Sequence, residues 1–381
     1  MNSNFVPPHL ESHAIQGDFK FTDTRSFRLF VEGIKGLQAY EHSAQRQGLE
    51  KAEARLTECV SEYPFDVLPQ FYLGVVKIFQ GYRGTMDAIR IFENISADVP
   101  QLRIEAKYNA AQACIEQYTA ESFNAARDYL SQCIQEIAGS TKPADVRLRL
   151  QAEVLILYLD IHDQLWRKRK DSVATLQLEI SETAPQLSQR LDEFLKEFDK
   201  FTRIPQPARA DILADYWNDR GILQEFQAWT ALDPKKKKEL AQTAIQSYVE
   251  SLKWKLNWIP PKSNLARIHV ELLQEYDRGL KYCDEVQQVR PDDNYCEYIR
   301  GQAWEGKKDI AKAIFHYEKA PYIPEAKKRL AALYEESGRK DDAIRAWQQV
   351  LAKHPDDIEA LGAQARLKFP TTPASDAPPI K

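Results

Sequence analysis

Between Pro324 and Asp357, small and medium apolar residues recur at helical spacing in two adjacent blocks separated by Ser337-Gly338-Arg339. Leu330, Ala331 and Tyr334 share one face of the first block, and Ala343, Trp347 and Val350 share one face of the second. The glycine between the blocks and Pro355 after them predict two antiparallel helices with a tight turn and a defined stop. Ala331 and Ala343 are small where two helices must approach, and Tyr334 and Trp347 are large where the pair must fill space against a neighbour. A hairpin of this kind cannot bury both faces alone, so the pattern predicts stacked copies.

The pattern does recur upstream. In Asn294–Ala320, Gly301, Trp304, Ala313, Tyr317 and Ala320 take the equivalent small and large positions. Before it, Ala266, Val270, Gly279, Cys283 and Val286 precede a terminating Pro291. Nearer the N-terminus the series comprises Leu73 and Gly74 with Ala88, Phe92 and Ile95, then Ala110, Ala111 and Cys114 with Ala126, Leu130 and Cys133. A fainter first unit surrounds Ala52, Leu56, Cys59 and Pro64.

These residues resemble the tetratricopeptide repeat family, whose helix-turn-helix unit of about 34 residues prefers small, aromatic and proline residues at fixed places. Pro324–Pro355 matches almost throughout, the Asn294 unit has a shortened connection, and the N-terminal units carry short insertions. Residues 138–258 match poorly, so the resemblance covers roughly half of the chain. It implies an all-α, right-handed α-solenoid of stacked antiparallel hairpins with a divergent long-helix middle segment. The expected organisation is an extended arm at 1–24, repeats at 25–137, a long-helix insert at 138–203, repeats at 204–369 and a tail at 370–381 rich in proline and small residues.

Composition agrees with helix: 14 glycines in 381 residues, with abundant Ala, Leu, Glu, Lys, Gln and Arg and no alternating Val/Ile/Thr segments. A formal net charge of -4 selects neither nucleic acid nor an anionic membrane. No stretch is apolar enough to span a bilayer, and the first residues lack a basic and an apolar leader region, which points to the cytoplasm. The five cysteines form no CxxC pair, and Cys59, Cys133 and Cys283 occupy repeat core positions, so they read as small buried hydrophobes.

The middle segment breaks the repeat. Leu148, Val154, Leu155, Tyr158, Leu159 and Leu165 mark one long helix over 144–166. Beyond the basic run Arg167–Lys170, Leu187, Leu191, Phe194, Phe198 and Phe201 step by four, three, four and three, extended backwards by Ile180 and Val173. Such a seam packs onto the solenoid or, over 173–201, mediates self-association, with Pro185 expected to break or kink it.

No motif of catalysis, nucleotide binding or metal ligation occurs, so no cofactor, metal or catalytic residue is assigned and the chain reads as non-enzymatic. Of the seven histidines only His9 and His13 are spaced as ligands, and His162 with Asp160 and Asp163 falls on different helical faces.

Binding is the function the resemblance implies, through the first helix of each hairpin, which lines the concave side. Repeat positions there fall on Leu68, Phe71, Val75 and Ile78, on Glu105, Tyr108, Gln112 and Ile115, and on Asn264, Ile268 and Glu271. Further along they fall on Tyr295, Tyr298, Gln302 and Glu305, and on Lys328, Ala332 and Glu335. The expected partner contacts are Phe71, Tyr108, Asn109, Gln112, Asn264, Tyr295, Tyr298, Gln302 and Lys328, an aromatic and amide set suited to a segment of another protein. Asn109 matches one asparagine of the family's carboxylate clamp, but Phe71 and Val75 stand where the clamp needs Lys and Asn. Alternatives are an RNA-binding repeat protein, for which the basic runs Arg167–Lys170 and Lys235–Lys238 and Trp217, Trp229, Trp254 and Trp258 speak, and a ligand-sensing regulatory subunit.

Overall fold

Every described segment of regular structure is helical, in a computed structural model that describes residues 19–43, 46–81, 84–117, 119–163, 173–202, 204, 206–291 and 293–367. Most of the expected arm, the tail at 370–381, Leu165, the run Arg167–Lys170 and the pair His9 and His13 lie outside the described residues. None of the described helices is long and apolar enough to cross a membrane.

Two compact units emerge, one reaching Asn264 and one starting at Leu265. The first contains α1 (Thr24–Ser43), α2 (Arg46–Glu62), α3 (Val67–Phe79), α4 (Thr85–Asp98), α5 (Arg103–Ile115) and α6 (Ala120–Glu136). It continues with α7 (Pro143–Ile161), α8 (Val173–Phe198), α9 (Gln206–Thr230) and α10 (Pro234–Trp254). The boundary falls inside α11 (Ile259–Arg267), which runs on into a wide helical turn at Ile268–Leu272. The second unit then holds α12 (Tyr276–Val289), α13 (Asn294–Gly306), α14 (Ile310–Glu318), α15 (Pro324–Glu336), α16 (Lys340–Lys353) and α17 (Ile358–Leu367). Within each unit most helices adjacent in sequence pack against one another, and the wide turn at Ile268–Leu272 packs against α12.

Local sequence sets the helix starts. Asp293 accepts from the Cys296 amide at 2.8 Å to open α13, and Asp309 accepts from that of Lys312 at 3.2 Å to open α14. Thr119 and Ser122 form a reciprocal capping box at α6. At α10, Asp233 caps the amides of Lys235 and Lys236 and Pro234 supplies the first helical residue. The turn between α15 and α16 places Gly338 at φ +73°, the left-handed region that favours glycine.

A recurring joint holds the hairpins together. In α13–α14 the Tyr317 ring lies on Gly301, where an added Cβ would come within 2.4 Å, and its hydroxyl donates to Glu305, one turn after the glycine, at 2.8 Å. In α9–α10 the Tyr248 ring lies on Gly221, with 2.6 Å left for a Cβ, and its hydroxyl donates to Glu225 at 2.7 Å. Ala331, Glu335 and the buried Trp347 hold the corresponding places in α15–α16. Gly74 under Phe92 is the apolar version, with Ile78 where the glutamate would stand. The segment 204–258 is therefore built on the repeat joint even though it matches the repeat pattern poorly.

Three expectations are corrected. Phe71, together with Leu68, Val75 and Ile78, is buried in the first unit's core, because α1–α2 packs before α3 and α4–α5 after it. The Phe71 ring meets Phe92 at 5.3 Å and Tyr72 at 5.7 Å, so no face of it is left for a partner. The described part of the α8 seam is spent within the chain: Ile180, Leu187, Leu191, Phe194 and Phe198 are buried where α8 packs against α7 and α9, which takes these five side chains out of the self-association expected over 173–201. Pro185 sits inside a continuous α8, held by buried Ile180 and Ala184 before it and Leu187 after it.

Candidate functional site

Burial in the first unit is not purely apolar. Tyr108, Asn109 and Gln112 on α5, Arg147 and Gln151 on α7, and Asp215, Asn218 and Asp219 on α9 are all buried. Asp211, Asp215 and Asp219 follow one another at four-residue steps, so they occupy one face of α9 at a rise of about 6 Å per step. Arg147 and Gln151 have the same relation on α7, which packs against α9.

The groups influence one another across helices. Tyr108 is held well above the usual phenol range, first by burial and then by the charges of Asp215 and Asp211. Burial pulls the Arg147 guanidinium down, opposed by Glu105, Tyr108 and Asp211. Lys255, just after α10, pairs with Asp211 at 2.7 Å, yet burial still raises the Asp211 carboxyl. Asp215 and Asp219 are pushed far above the carboxylate range, both chiefly by burial. Lys255 opposes the shift at Asp215, and Asp215 adds to the shift at Asp219.

Their hydrogen bonds are only partly made. The Asn109 Nδ2 donates to the Glu105 carbonyl at 2.7 Å, and the Gln112 Nε2 donates to the Tyr108 hydroxyl at 3.2 Å. Asn264 donates to the Asn218 Oδ1 at 3.2 Å. Among the described residues, no hydrogen-bond partner meets Asn109 Oδ1, Gln112 Oε1, either amide atom of Gln151, Asp215 Oδ2 or Asp219 Oδ2. Each such group in an interior costs about 1–3 kcal/mol unless protein, water or a bound group meets it.

The expected contacts therefore separate into three sets. Phe71 belongs to the core, while Tyr108, Asn109, Gln112 and, at its edge, Asn264 belong to the polar interior. Tyr295, Tyr298, Gln302 and Lys328 stay half-buried in the second unit. There the Arg267 guanidinium donates to the Tyr295 hydroxyl at 3.0 Å, the two tyrosine rings lie 6.3 Å apart, and Gln302 donates to the Tyr298 hydroxyl at 2.9 Å. Lys328 is ion-paired with Asp357.

Arg147, Gln151 and the aspartates of α9 are additions that repeat positions do not supply. The legible signal was the four-residue spacing of Asp211, Asp215 and Asp219 on a helix that also carries Ile212, Leu213 and Tyr216. On a helix with several buried faces, a carboxylate row can point inwards. Among the described residues, no three His, Cys, Asp or Glu side chains gather closely enough to hold a metal ion. All five cysteines are free and buried.

The nucleic-acid features are used locally. Lys235, Lys236 and Lys238 are exposed at the start of α10, and the Lys237 ammonium lies 5.6 Å from the Trp229 ring centre. Trp258 is buried, and Trp217 packs edge-on against Tyr216 at 5.2 Å.

Comparison with known proteins gives one family-model match and two distant structural likenesses. The tetratricopeptide repeat model matches residues 324–367. A MamA RS-1 double mutant is similar at 17% identity over 46% of this chain and 98% of that one, with a TM-score of 0.30. A monomeric IFIT1 mutant with m7Gppp-AAAA is similar at 12% identity over 96% of this chain and 84% of that one, with a TM-score of 0.44. Scores so low carry no argument about function. No curated protein matches the chain.

Proposed function

We propose that this chain, a helical-repeat protein of the tetratricopeptide repeat family, is a non-enzymatic scaffold that holds a segment of a partner protein against its inner-row helices. The observation that carries the reading is the buried polar cluster of α5, α7 and α9. A repeat array needs only apolar joints to stack, and those joints are complete elsewhere in the chain. Polar groups with unmet hydrogen bonds add nothing to stacking, so their use lies in what they receive. Tyr295, Tyr298, Gln302 and Lys328 offer the second unit a separate half-buried surface for the same kind of partner.

An extended peptide fits this chemistry, because its backbone supplies both donors and acceptors to amides such as Gln112 and Gln151. A polyphosphate fits it less well, since burial disfavours the charge of Arg147, the cation within the cluster. The cytoplasm suits the five buried free thiols.

Replacing Gln112 and Gln151 by leucine tests the proposal. The swap is close in volume and removes three unsatisfied amide atoms along with one hydrogen bond, that of Gln112 to Tyr108, so the protein should unfold at about the same temperature. Capture of the stoichiometric partner found by native co-purification should fall by roughly tenfold or more. Undiminished capture, or co-purification of nucleic acid alone, would overturn the reading.

A further inference from the structure

The second unit carries a surface cleft whose charged lining is entirely basic. It opens where the turn before α15 meets the end of α16, and Lys327, Lys328, Lys353 and His354 border it beside the buried Val350. The Tyr322 ring on the turn and the Gln349 amide, one helical turn before Lys353, complete its polar edge. About 30 Å³ of the cleft is free. That is room for roughly two water-sized groups, enough for the tip of a ligand that enters from solvent.

The three lysines are not equally explained by the fold. Lys328 pairs with Asp357, which also accepts from the Ala360 amide at 3.0 Å to open α17. Lys353 is the last residue of α16, where a cation suits the helix dipole. Lys327 has neither support. Burial and then the neighbouring Lys353 hold its ammonium below the usual lysine range, and it stands at the end of the first turn of α15, near the positive pole of that helix. The Lys327 and Lys353 ammonium groups meet within hydrogen-bond range across the hairpin, and among the described residues no carboxylate pairs with either. Two like charges in contact weaken the hairpin that carries them, and an anion set between them removes that repulsion.

We propose that this cleft binds a phosphoryl group between the Lys327 and Lys353 ammonium groups, with Tyr322, Gln349 and His354 as further donors to its oxygens. The proposal uses none of the buried cluster of the first unit and does not depend on the scaffold reading. A phosphomonoester carries about -1.5 to -2 charges at neutral pH and three acceptor oxygens, so it answers both ammonium groups at once. A carboxylate carries a single charge and leaves the second ammonium unanswered. Lysine holds phosphate as a point charge on a flexible stem, so two stems can close on one tetrahedral group. An apolar side chain would cover the ammonium groups and give them no partner. The phosphoryl group can belong to a phosphorylated segment of a polypeptide or to a small free phosphate, since the cleft encloses only the tip of what enters it.

Five probes are titrated calorimetrically into the full chain: inorganic phosphate, a blocked pentapeptide with a central phosphoserine, its serine and aspartate counterparts, and a short single-stranded RNA. We expect the phosphoserine peptide to bind roughly tenfold or more tighter than the other two peptides, and to protect α15–α16 from hydrogen exchange. Lys327→Gln/Lys353→Gln should lose the binding and, with the like-charge contact gone, melt no lower than the wild type. Lys353→Gln alone, at an exposed helix end, should weaken binding by roughly fivefold or more and repeats the test should the double variant unfold. Lys235→Gln/Lys236→Gln removes the same charge from the exposed start of α10 and should leave binding unchanged. Tighter binding of the phosphopeptide than of inorganic phosphate supports the cleft with a phosphorylated segment as its ligand, and the reverse order supports it with a small phosphate. An aspartate peptide bound as well as the phosphoserine peptide would reassign the cleft to carboxylates, and RNA that displaces the phosphopeptide would reassign it to nucleic acid. Either result overturns the proposal. So does a folded wild type that binds no probe, protection that falls outside α15–α16, or an equal loss of binding in the two double variants.

Discussion

The hairpins α9–α10 and α13–α14 share one joint but not one setting. Each rests a tyrosine ring on a glycine and ties the hydroxyl to a glutamate one turn further on. In α13–α14 the glycine and tyrosine lie 16 residues apart, whereas in α9–α10 they lie 27 apart, because both helices of the latter are longer. The glutamates differ too: Glu225 is buried, but Glu305 is half-exposed and also paired with Arg329. The added N-terminal length of α9 supplies residues beyond the span that α13 has before its glycine, and these carry Asp211, while Asp215 stands where α13 has Tyr295. The joint keeps the repeat stacked while the extra turns are free to vary, which is how one fold hosts different sites.

The glycines test the shared joint most severely. Alanine at a helical position ordinarily stabilises by about 1 kcal/mol. At Gly221 and Gly301 the new Cβ would run into the tyrosine ring, so both substitutions should instead destabilise by about 1–3 kcal/mol. Gly362, where the nearest atom is the flexible end of Arg366 at 3.4 Å, is the control and should gain stability. Hydrogen exchange resolved by helix reads each joint separately, as one melting temperature does not in a repeat array. If Gly221→Ala were as well tolerated as Gly362→Ala, α9–α10 would not share the joint.

Removing the glutamates should separate the two settings. Glu225→Ala removes the carboxylate that the buried Tyr248 hydroxyl donates to at 2.7 Å and should cost about 1–3 kcal/mol. Glu305→Ala lets water reach the Tyr317 hydroxyl through a half-exposed edge and should cost less than about 1 kcal/mol. Equal losses by helix-resolved exchange would mean that burial does not distinguish the joints.

How much of this was legible follows from the same contrast. Small-and-large spacing within 30-odd residues exposed α13–α14 and α15–α16, because both partners of each joint fall in one repeat window. Gly221 and Tyr248 escaped that window although the joint is the same. Tyr108, Asn109 and Gln112 were picked out by repeat position, since α5 keeps the regular length, and all three lie buried. Phe71 was misassigned because position in a repeat specifies a face, and only the stacking of α1–α2 decides whether that face is covered. Asp215 and Asp219 were missed because a carboxylate's spacing carries no sign of its burial.

The turns provide the finest comparison. After α15, the Gly338 and Arg339 amides donate back to the Glu335 and Tyr334 carbonyls at 3.1 and 2.8 Å. After α13, Lys308 and Asp309 make the same two bonds to Glu305 and Trp304 at 2.8 and 2.9 Å. Gly338 has φ +73° and Lys308 has φ +63°, so the turn is one conformation with two residue types. A left-handed position costs an ordinary residue about 1–2 kcal/mol, and glycine's greater unfolded freedom offsets roughly 0.5–1 of that. Gly338→Ala should therefore loosen α15–α16 by about 1 kcal/mol, and Lys308→Gly should tighten α13–α14 by roughly half as much. Lys308 is exposed, so little packing is lost in the exchange. Opposite signs in the hydrogen exchange of the two hairpins would show that they share a turn as well as a joint, whereas a destabilising Lys308→Gly would mean that the lysine side chain itself holds α13–α14 together.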